Sequence, residues 1–341
     1  MKLIIDIMSG DNAPKETMLG VAKAVDQPYS KGVEYILVGD ENKIKAIAEE
    51  HKIDLSRFDI RHTDEVLTME DDPMSVMRAK KNSSLALSLR LLAAGEGDAL
   101  VSAGNTGALF CGASLIVKRV KGIQRAAIGA IIPLTKPFIL LDSGASVKPN
   151  EDYMHGFAIM GSAYMRAFYG VESPRVALVN NGAEEHKGTE LQQATYVKLK
   201  ESEFVNFVGN VEGNKLPFDQ CDVAVADGFT GNILLKTIEG MGKMMSAELK
   251  AMFKSGLGGI LAYLLMKKKL AAFKKRFDAK EHGGAPILGI SKTVIKAHGS
   301  SDAKAFSNAI RQAVQCVNTG VVDIIAAEAA KLSELKTETE E

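Results

Sequence analysis

The amino-acid sequence predicts an α/β fold in which helices cover both faces of a mostly parallel sheet. Three observations carry that prediction. Short, almost uniformly apolar runs such as Leu3–Met8, Ala126–Ile132 and Phe138–Leu141 have the composition of strands buried on both sides. These runs alternate with longer stretches of helical periodicity, the order that gives parallel strands joined by crossover helices. Glycines and small polar residues collect where the runs end, at the carboxyl ends of the strands, where such folds bind ligands.

The elements follow in order. Leu3–Met8 is the first strand, and Pro14 opens an amphipathic helix through Val25, proline being suited to a first helical turn. Strand Val33–Val38, helix Asn42–His51 and strand Phe58–His62 come next, then helix Ser83–Ala94 and strand Ala99–Ser102. A helix runs from the following Gly-rich turn to about Val117. Strands Ala126–Ile132 and Phe138–Leu141 precede helix Asp152–Phe168, strand Arg175–Asn180, helix Glu190–Lys200 and strand Val205–Val208. Val223–Ala226 is a strand, Gly231–Phe253 a long helix, and Asp302–Lys331 the last helix, with Ser300 or Ser301 as its N-cap. The reading is one catalytic unit over residues 1–332, a helical amphipathic protrusion at about 254–278, and an acidic tail, Ser333–Glu341, without fixed structure.

Composition excludes several classes. The 341 residues carry 42 basic and 42 acidic side chains, so no overall field draws the chain to nucleic acid. Cys111, Cys221 and Cys316 are far apart with no CxxC pair, which fits reduced, buried thiols in a cytoplasm. The first apolar run breaks at Asp6, too early for a signal-peptide core. No run reaches the about 20 apolar residues of a membrane span. The sequence has no G-x-G-x-x-G after the first strand, no P-loop, no H-E-x-x-H and no G-x-S-x-G. No two of the six histidines have metal-ligand spacing, so neither a metal nor a cofactor is expected.

Five loops stand out, each after an apolar strand: Met8–Lys15, Ser102–Gly107, Leu141–Ala145, Asn180–Gly188 and Ala226–Asn232. Glycine lets backbone N–H groups approach an oxyanion, and a following helix adds favourable partial charge. Their repetition points to an anionic ligand, phosphate being the simplest. Arg78, Lys80 and Lys81 precede an apolar helix and can hold a phosphoryl group or form a solvated basic turn. His298 precedes the last helix and can act as acid, base or oxyanion donor, or serve the structure alone.

Taken together, these loops carry a resemblance. Asp6-Ile7-Met8-Ser9-Gly10-Asp11-Asn12-Ala13-Pro14 resembles the opening D-x-M-G-G-D-x-A-P of the phosphate acyltransferases of bacterial phospholipid synthesis, the PlsX family. Ser102–Ala108 is similar to that family's S-A-G-N-T-G-A, and Asp227–Asn232 to its D-G-F-x-G-N. The Arg78–Ser84 run, Asn180–Gly188, Gly283–Pro286 and His298–Ser300 fall in the family's order, and the likeness covers about residues 1–330. Departures are Ser9 for the usual glycine, Asn181 in a loop that usually reads L-L-N-x-G, and Asp142–Ser146 for D-x-G-A-N.

The resemblance implies a three-layer α/β/α sandwich similar to phosphotransacetylase and isocitrate dehydrogenase-like folds. It also implies a homodimer that needs no metal. The implied reaction moves a long-chain fatty acyl group from acyl carrier protein to inorganic phosphate. The acyl phosphate would then feed a membrane glycerol-3-phosphate acyltransferase. Direct displacement at the thioester needs no protein nucleophile, only orientation of two anionic partners and an oxyanion site, which agrees with the missing triads. On this reading Lys81, Asn105, Asn232, His298 and Lys187 are the catalytic candidates. Substrate binding falls to Asp11, Arg78, Asn82, Ser102, Gly104, Thr106 and Gly107, and to Asp227, Thr230 and Gly231. A metal-dependent decarboxylating dehydrogenase would need clustered acidic residues and an adenosine site, and neither is visible. A non-catalytic scaffold is at odds with the intact loops.

Lys254–Phe277 breaks the β-α rhythm. Leu257, Ile260, Leu261 and Leu264 lie in an apolar stretch, followed by Lys267, Lys268, Lys269, Lys274, Lys275 and Arg276. Leu270, Phe273 and Phe277 fall on one helical face among these cations. The segment suits an anionic membrane surface, the acidic carrier protein or a dimer contact. Reversible peripheral binding is the expectation, at the inner face of the cell membrane of a cytoplasmic protein.

Overall fold

The computed structural model describes residues 1–134, 136–277 and 283–340, with the backbone alone for 272, 274–277 and 335–340. Two mostly parallel sheets share one core. In the first half, β1 (Lys2–Asp6), β2 (Glu34–Gly39), β3 (Phe58–His62) and β4 (Ala99–Ser102) alternate with α1 (Lys15–Val25), α2 (Glu41–His51) and α3 (Ser84–Ala93). α4 (Thr106–Gly112) follows β4 and runs into a π-helical stretch, Ala113–Lys118. The apolar cores of β1 (Leu3–Ile5) and β4 (Ala99–Val101) are explained by their burial between helical layers, Lys2 alone of these two strands being exposed.

The expected strand Ala126–Ile132 is two strands. β5 (Ala127–Ile128) and β6 (Ala130–Ile132) join different sheets, with Gly129 between them. Continuous apolarity gave no hint of that break. β7 (Phe138–Leu141), α5 (Glu151–Tyr169), β8 (Arg175–Asn180), α6 (Glu190–Lys200), β9 (Asn206–Glu212) and β10 (Val223–Val225) build the second half.

α7 (Gly228–Lys254) and α8 (Gly256–Phe277) form the protrusion, bent by 117° at their junction. No single helix among the described residues is long and apolar enough to cross a membrane. Two strands not foreseen follow, β11 (Ala285–Leu288) and β12 (Thr293–Lys296). The expected last helix is two, α9 (Ala303–Asn318) and α10 (Val321–Glu340), separated at Thr319 and Gly320, where Gly320 takes φ +63°. Asp302, rather than Ser300 or Ser301, caps α9, its Oδ1 accepting the Ala305 amide at 2.9 Å. The backbone of α10 runs as helix to Glu340.

The larger sheet has strand order β3-β2-β1-β4-β12-β11-β5 and the smaller β6-β7-β10-β8-β9. β3, β2, β1, β4 and β12 are mutually parallel, as are β7, β10, β8 and β9. One buried cluster runs through both, from Ile5 and Val101 to Ile139, Leu178 and Val223. The sandwich is therefore a single packed body whose carboxyl strand ends form two groups of loops.

Candidate active site

The first group lies at the ends of β1, β4 and β12, three adjacent parallel strands with Lys296 in register with Ser102. Asp6 closes β1 fully buried, accepting the Ser84 and Ser102 hydroxyls at 2.7 Å each. Burial pushes its carboxyl above the ordinary value, against those hydrogen bonds. Ser102, expected to bind substrate, thus serves Asp6 and also accepts the Gly104 amide at 3.1 Å. Gly10, at φ +121°, is where three loops meet. A Cβ there would lie 2.9 Å from the Ala103 Cβ and 3.2 Å from the Gly299 carbonyl oxygen. The Asp11 amide donates to that same carbonyl at 2.9 Å, and Asn12 Nδ2 to the Ser301 carbonyl at 3.3 Å.

Asn105 caps α4, its Oδ1 accepting the Ala108 amide at 3.0 Å. Its Nδ2 donates to the carbonyls of Met69 and Asp71 at 3.0 and 3.1 Å. Every polar atom of the side chain is engaged, so it shapes the loop and anchors segment 69–73 over it. Gly107 accommodates Pro73 of that segment: a Cβ would lie 2.7 Å from the proline ring. Gly104 is buried and Thr106 exposed. His298 is exposed, and its Nδ1 accepts both the amide and the hydroxyl of Ser300 at 3.2 and 2.9 Å. The amide can only donate, so Nε2 carries the ring proton. Desolvation, then the Lys236 charge, holds the imidazole below its ordinary pKa.

The second group lies at the ends of β7 and β10. Asp142 is buried, and its carboxylate accepts the amides of Ile128, Gly144, Ala145 and Ser146. Asp227 caps α7 through the amides of Phe229 and Thr230 and takes the Thr230 hydroxyl at 2.7 Å. Gly231 lies against the Asp142 carbonyl, and Asn232 beside Gly144, whose Cβ would be 3.5 Å from the Asn232 Oδ1.

Arg125 joins the two groups, a residue the sequence did not single out. Its Nε donates to Ser146 Oγ at 2.9 Å, and its guanidinium lies 5.4 Å from the centre of the Phe110 ring on α4. From α7, the Lys236 ammonium acts on both His298 and Lys296. Lys296 is the second residue missed; the one signal was a lysine ending the short apolar run Thr293–Lys296. Asn105, Asp11, Gly104 and His298 are thus gathered in one cradle, and Asp227, Thr230, Gly231 and Asn232 in the facing one.

Other candidates stand apart. Arg78, Lys81 and Asn82 are exposed on the segment before α3, where the Lys81 carbonyl accepts Arg90 and the Asn82 amide donates to Glu65 at 2.9 Å. Asn180 Nδ2 donates to the Lys187 carbonyl at 3.1 Å, and Asn210 Nδ2 on β9 to the Glu184 carbonyl at 2.9 Å. No hydrogen bond among the described residues links the Lys187 ammonium to either cradle. The side chains of Lys274, Lys275 and Arg276 lie outside the described residues.

The architecture is that of the phosphotransacetylases. A phosphotransacetylase from Streptococcus pyogenes superposes with a TM-score of 0.60 at 16% identity, over 93% of this chain and 94% of that one. EutD phosphotransacetylase from Staphylococcus aureus gives 0.58 at the same identity and coverage. The family described as "Fatty acid synthesis protein" matches residues 1–324. A protein of Acetivibrio thermocellus named phosphate acyltransferase is 43% identical over 330 residues, 96% of either chain. One of Listeria innocua with that name is 41% identical over 341 residues, 99% of either chain. The chain belongs to this family, the PlsX phosphate acyltransferases, and is an acyltransferase of fatty acid and phospholipid synthesis.

Proposed function

We propose that the protein transfers a long-chain acyl group from the thioester of acyl carrier protein to inorganic phosphate by direct displacement. A phosphate oxygen attacks the thioester carbonyl carbon, the C–S bond breaks, and the carrier thiolate leaves. That thiol has an ordinary pKa near about 8.5, so it departs readily. The enzyme's part is to align the reactants and stabilise the tetrahedral oxyanion.

The observation that carries the mechanism is the state of the nucleophiles. Burial pushes the Cys221 and Cys316 thiols up to about 12 and raises Cys111 as well, which disfavours a thiolate nucleophile at each. Ser102 is tied to buried Asp6. Ser300 shares the His298 Nδ1 with its own amide, an arrangement local to one turn. The decisive experiment supplies acyl carrier protein thioester with and without phosphate, in chelator, and follows acyl phosphate by hydroxylamine trapping. Phosphate-dependent product without an initial burst of free carrier is expected. Absence of that product refutes the reaction, and a burst without phosphate refutes direct displacement.

The reading extends to the α7–α8 protrusion. Leu257 and Leu265 are 87% and 81% exposed, and Ile260, Leu261 and Leu264 are exposed beside them, ahead of Lys267, Lys268 and Lys269. Such a surface supports docking at the anionic inner face of the cell membrane, next to the membrane acyltransferase that would consume the product. The exposed methionines of α7, Met241, Met244 and Met245, support a homodimer contact.

A further inference from the structure

Lys296 ends β12 at the floor of the first cradle and is 7% exposed. Its ammonium donates to the Ala103 carbonyl at 3.3 Å and to the Ala297 carbonyl. Both carbonyls belong to cradle loops. A lysine ammonium has three donors, and among the described residues no third acceptor meets this one. Nor does any carboxylate form an ion pair with it. Asp11 and Asp6 attract it from farther off, while Lys236 on α7 and the His298 ring complete its charged and titratable surroundings. Buried cations are ordinarily paired, because removal from water is costly without a counter-charge. Here desolvation instead pulls the lysine down to about 8.

We propose that Lys296 is the fixed cation of the phosphate subsite, its unused N–H and its charge facing the anion that the loops after β1, β4 and β12 enclose. This deepens the acyl-transfer reading and rests on it. The two carbonyl bonds hold the ammonium in place before substrate arrives, so little ordering is needed on binding. The anion supplies the close counter-charge that no carboxylate among the described residues gives Lys296. Binding therefore favours the protonated lysine, and affinity falls as pH rises through about 8.

The test uses Lys296→Gln and Lys296→Arg in the full chain. In the glutamine variant the KM for phosphate is expected to rise about ten- to a hundredfold, the range of one charge-assisted hydrogen bond, with a smaller change in kcat. The ratio of kcat/KM for phosphate between wild type and Lys296→Gln should shrink above pH 8, a comparison that cancels the ionisation of phosphate itself. Arginine should restore part of the affinity and remove the decline near pH 8. Inorganic phosphate should raise the melting temperature of wild type and not of Lys296→Gln. An unchanged phosphate KM and pH profile overturns the proposal. So does a lowered melting temperature with no change in phosphate KM, the mark of a mere staple between loops. If wild type makes no acyl phosphate, the acyl-transfer reading fails, yet phosphate-dependent melting in wild type alone would still place the anion on Lys296.

Discussion

Replacing Gly231 by alanine separates site geometry from stability. A Cβ built there lies 1.9 Å from the Asp142 carbonyl oxygen and 3.0 Å from its carbon. Reaching a 3.0 Å separation demands a shift of roughly 1.1 Å, the shortfall against the closest approach real Cβ atoms make. The Asp142 side cannot yield easily. Its amide donates to the Ala226 carbonyl at 2.9 Å, the Ala226 amide to Leu141 at 2.6 Å, and its carboxylate holds four amides of its own loop and β5. The movement therefore falls on the first turn of α7, which carries Thr230 and Asn232.

Overpacking costs about 1–3 kcal/mol, offset by about 1 kcal/mol from alanine's helix propensity. For a chain this long, unfolding entropy is about 0.7 kcal/mol per kelvin, so the net penalty lowers the melting temperature by at most about 3 °C. A 1 Å misplacement of substrate-positioning groups, by contrast, costs about a hundredfold in turnover. Calorimetry and the acyl phosphate assay together check this, with Gly240→Ala as control. No atom lies within 4 Å of a Cβ at Gly240 on the same helix, so that variant should keep its activity and gain slightly in stability. Wild-type turnover by Gly231→Ala would refute the assignment of the α7 N-terminus to the site.

Arg125→Ala removes the Ser146 bond and the Phe110 contact that join the two cradles. It should lower stability by about 1–2 kcal/mol and turnover by more than tenfold, and retained turnover would show that the cradles are aligned without it. The His298 imidazole should titrate below about 6.5, staying neutral at pH 7 and gaining charge only as pH falls further. An NMR midpoint at or above 6.5, assigned with His298→Gln, would contradict its surroundings. Replacing Leu261 and Leu264 together by glutamate should abolish sedimentation with anionic liposomes and leave soluble turnover largely unchanged. Undiminished sedimentation would remove α8 as the anchor.

What the sequence made legible follows from physics that acts locally. β1, β4 and β7 were clear because burial on both faces leaves a continuous apolar run. Asn105 and Asp227 were singled out because they sit in small polar loops between an apolar strand and a helix, and the structure shows both as N-caps of the helix that follows. β11 and β12 were not foreseen. They are four residues each, one contains Pro286 and the other ends in Lys296, and short runs with polar or breaker residues carry no period. The partners of Asn105 at Met69 and Asp71 lie 36 and 34 positions away, a separation no spacing rule spans. The same holds for Arg125, whose role exists only once β5 and β6 have been divided between two sheets. A lysine buried at a strand end can be valued only when its missing partner is known, and that requires the three-dimensional neighbourhood.

The geometry of α7 also bears on how anchoring and chemistry coexist. Its 27 residues make a rod about 40 Å long at 1.5 Å per residue. Asn232 lies at one end, in the cradle beside Gly144, and the bend into α8 at the other, with Leu257 just past it. A side chain on the apolar tip therefore acts on the active site only through the rod itself, well beyond the Debye length of about 8 Å at physiological salt. Charge placed at Leu261 and Leu264 cannot reach the phosphate subsite by field, and both side chains are exposed. That is why the double glutamate variant should lose liposome binding without losing turnover. If turnover fell in parallel, the rod would have to transmit tip occupancy to its N-terminal turn. Gly231→Ala, which jams that turn directly, should then also reduce binding to the vesicles. Measuring sedimentation of both variants distinguishes an independent anchor from a coupled one.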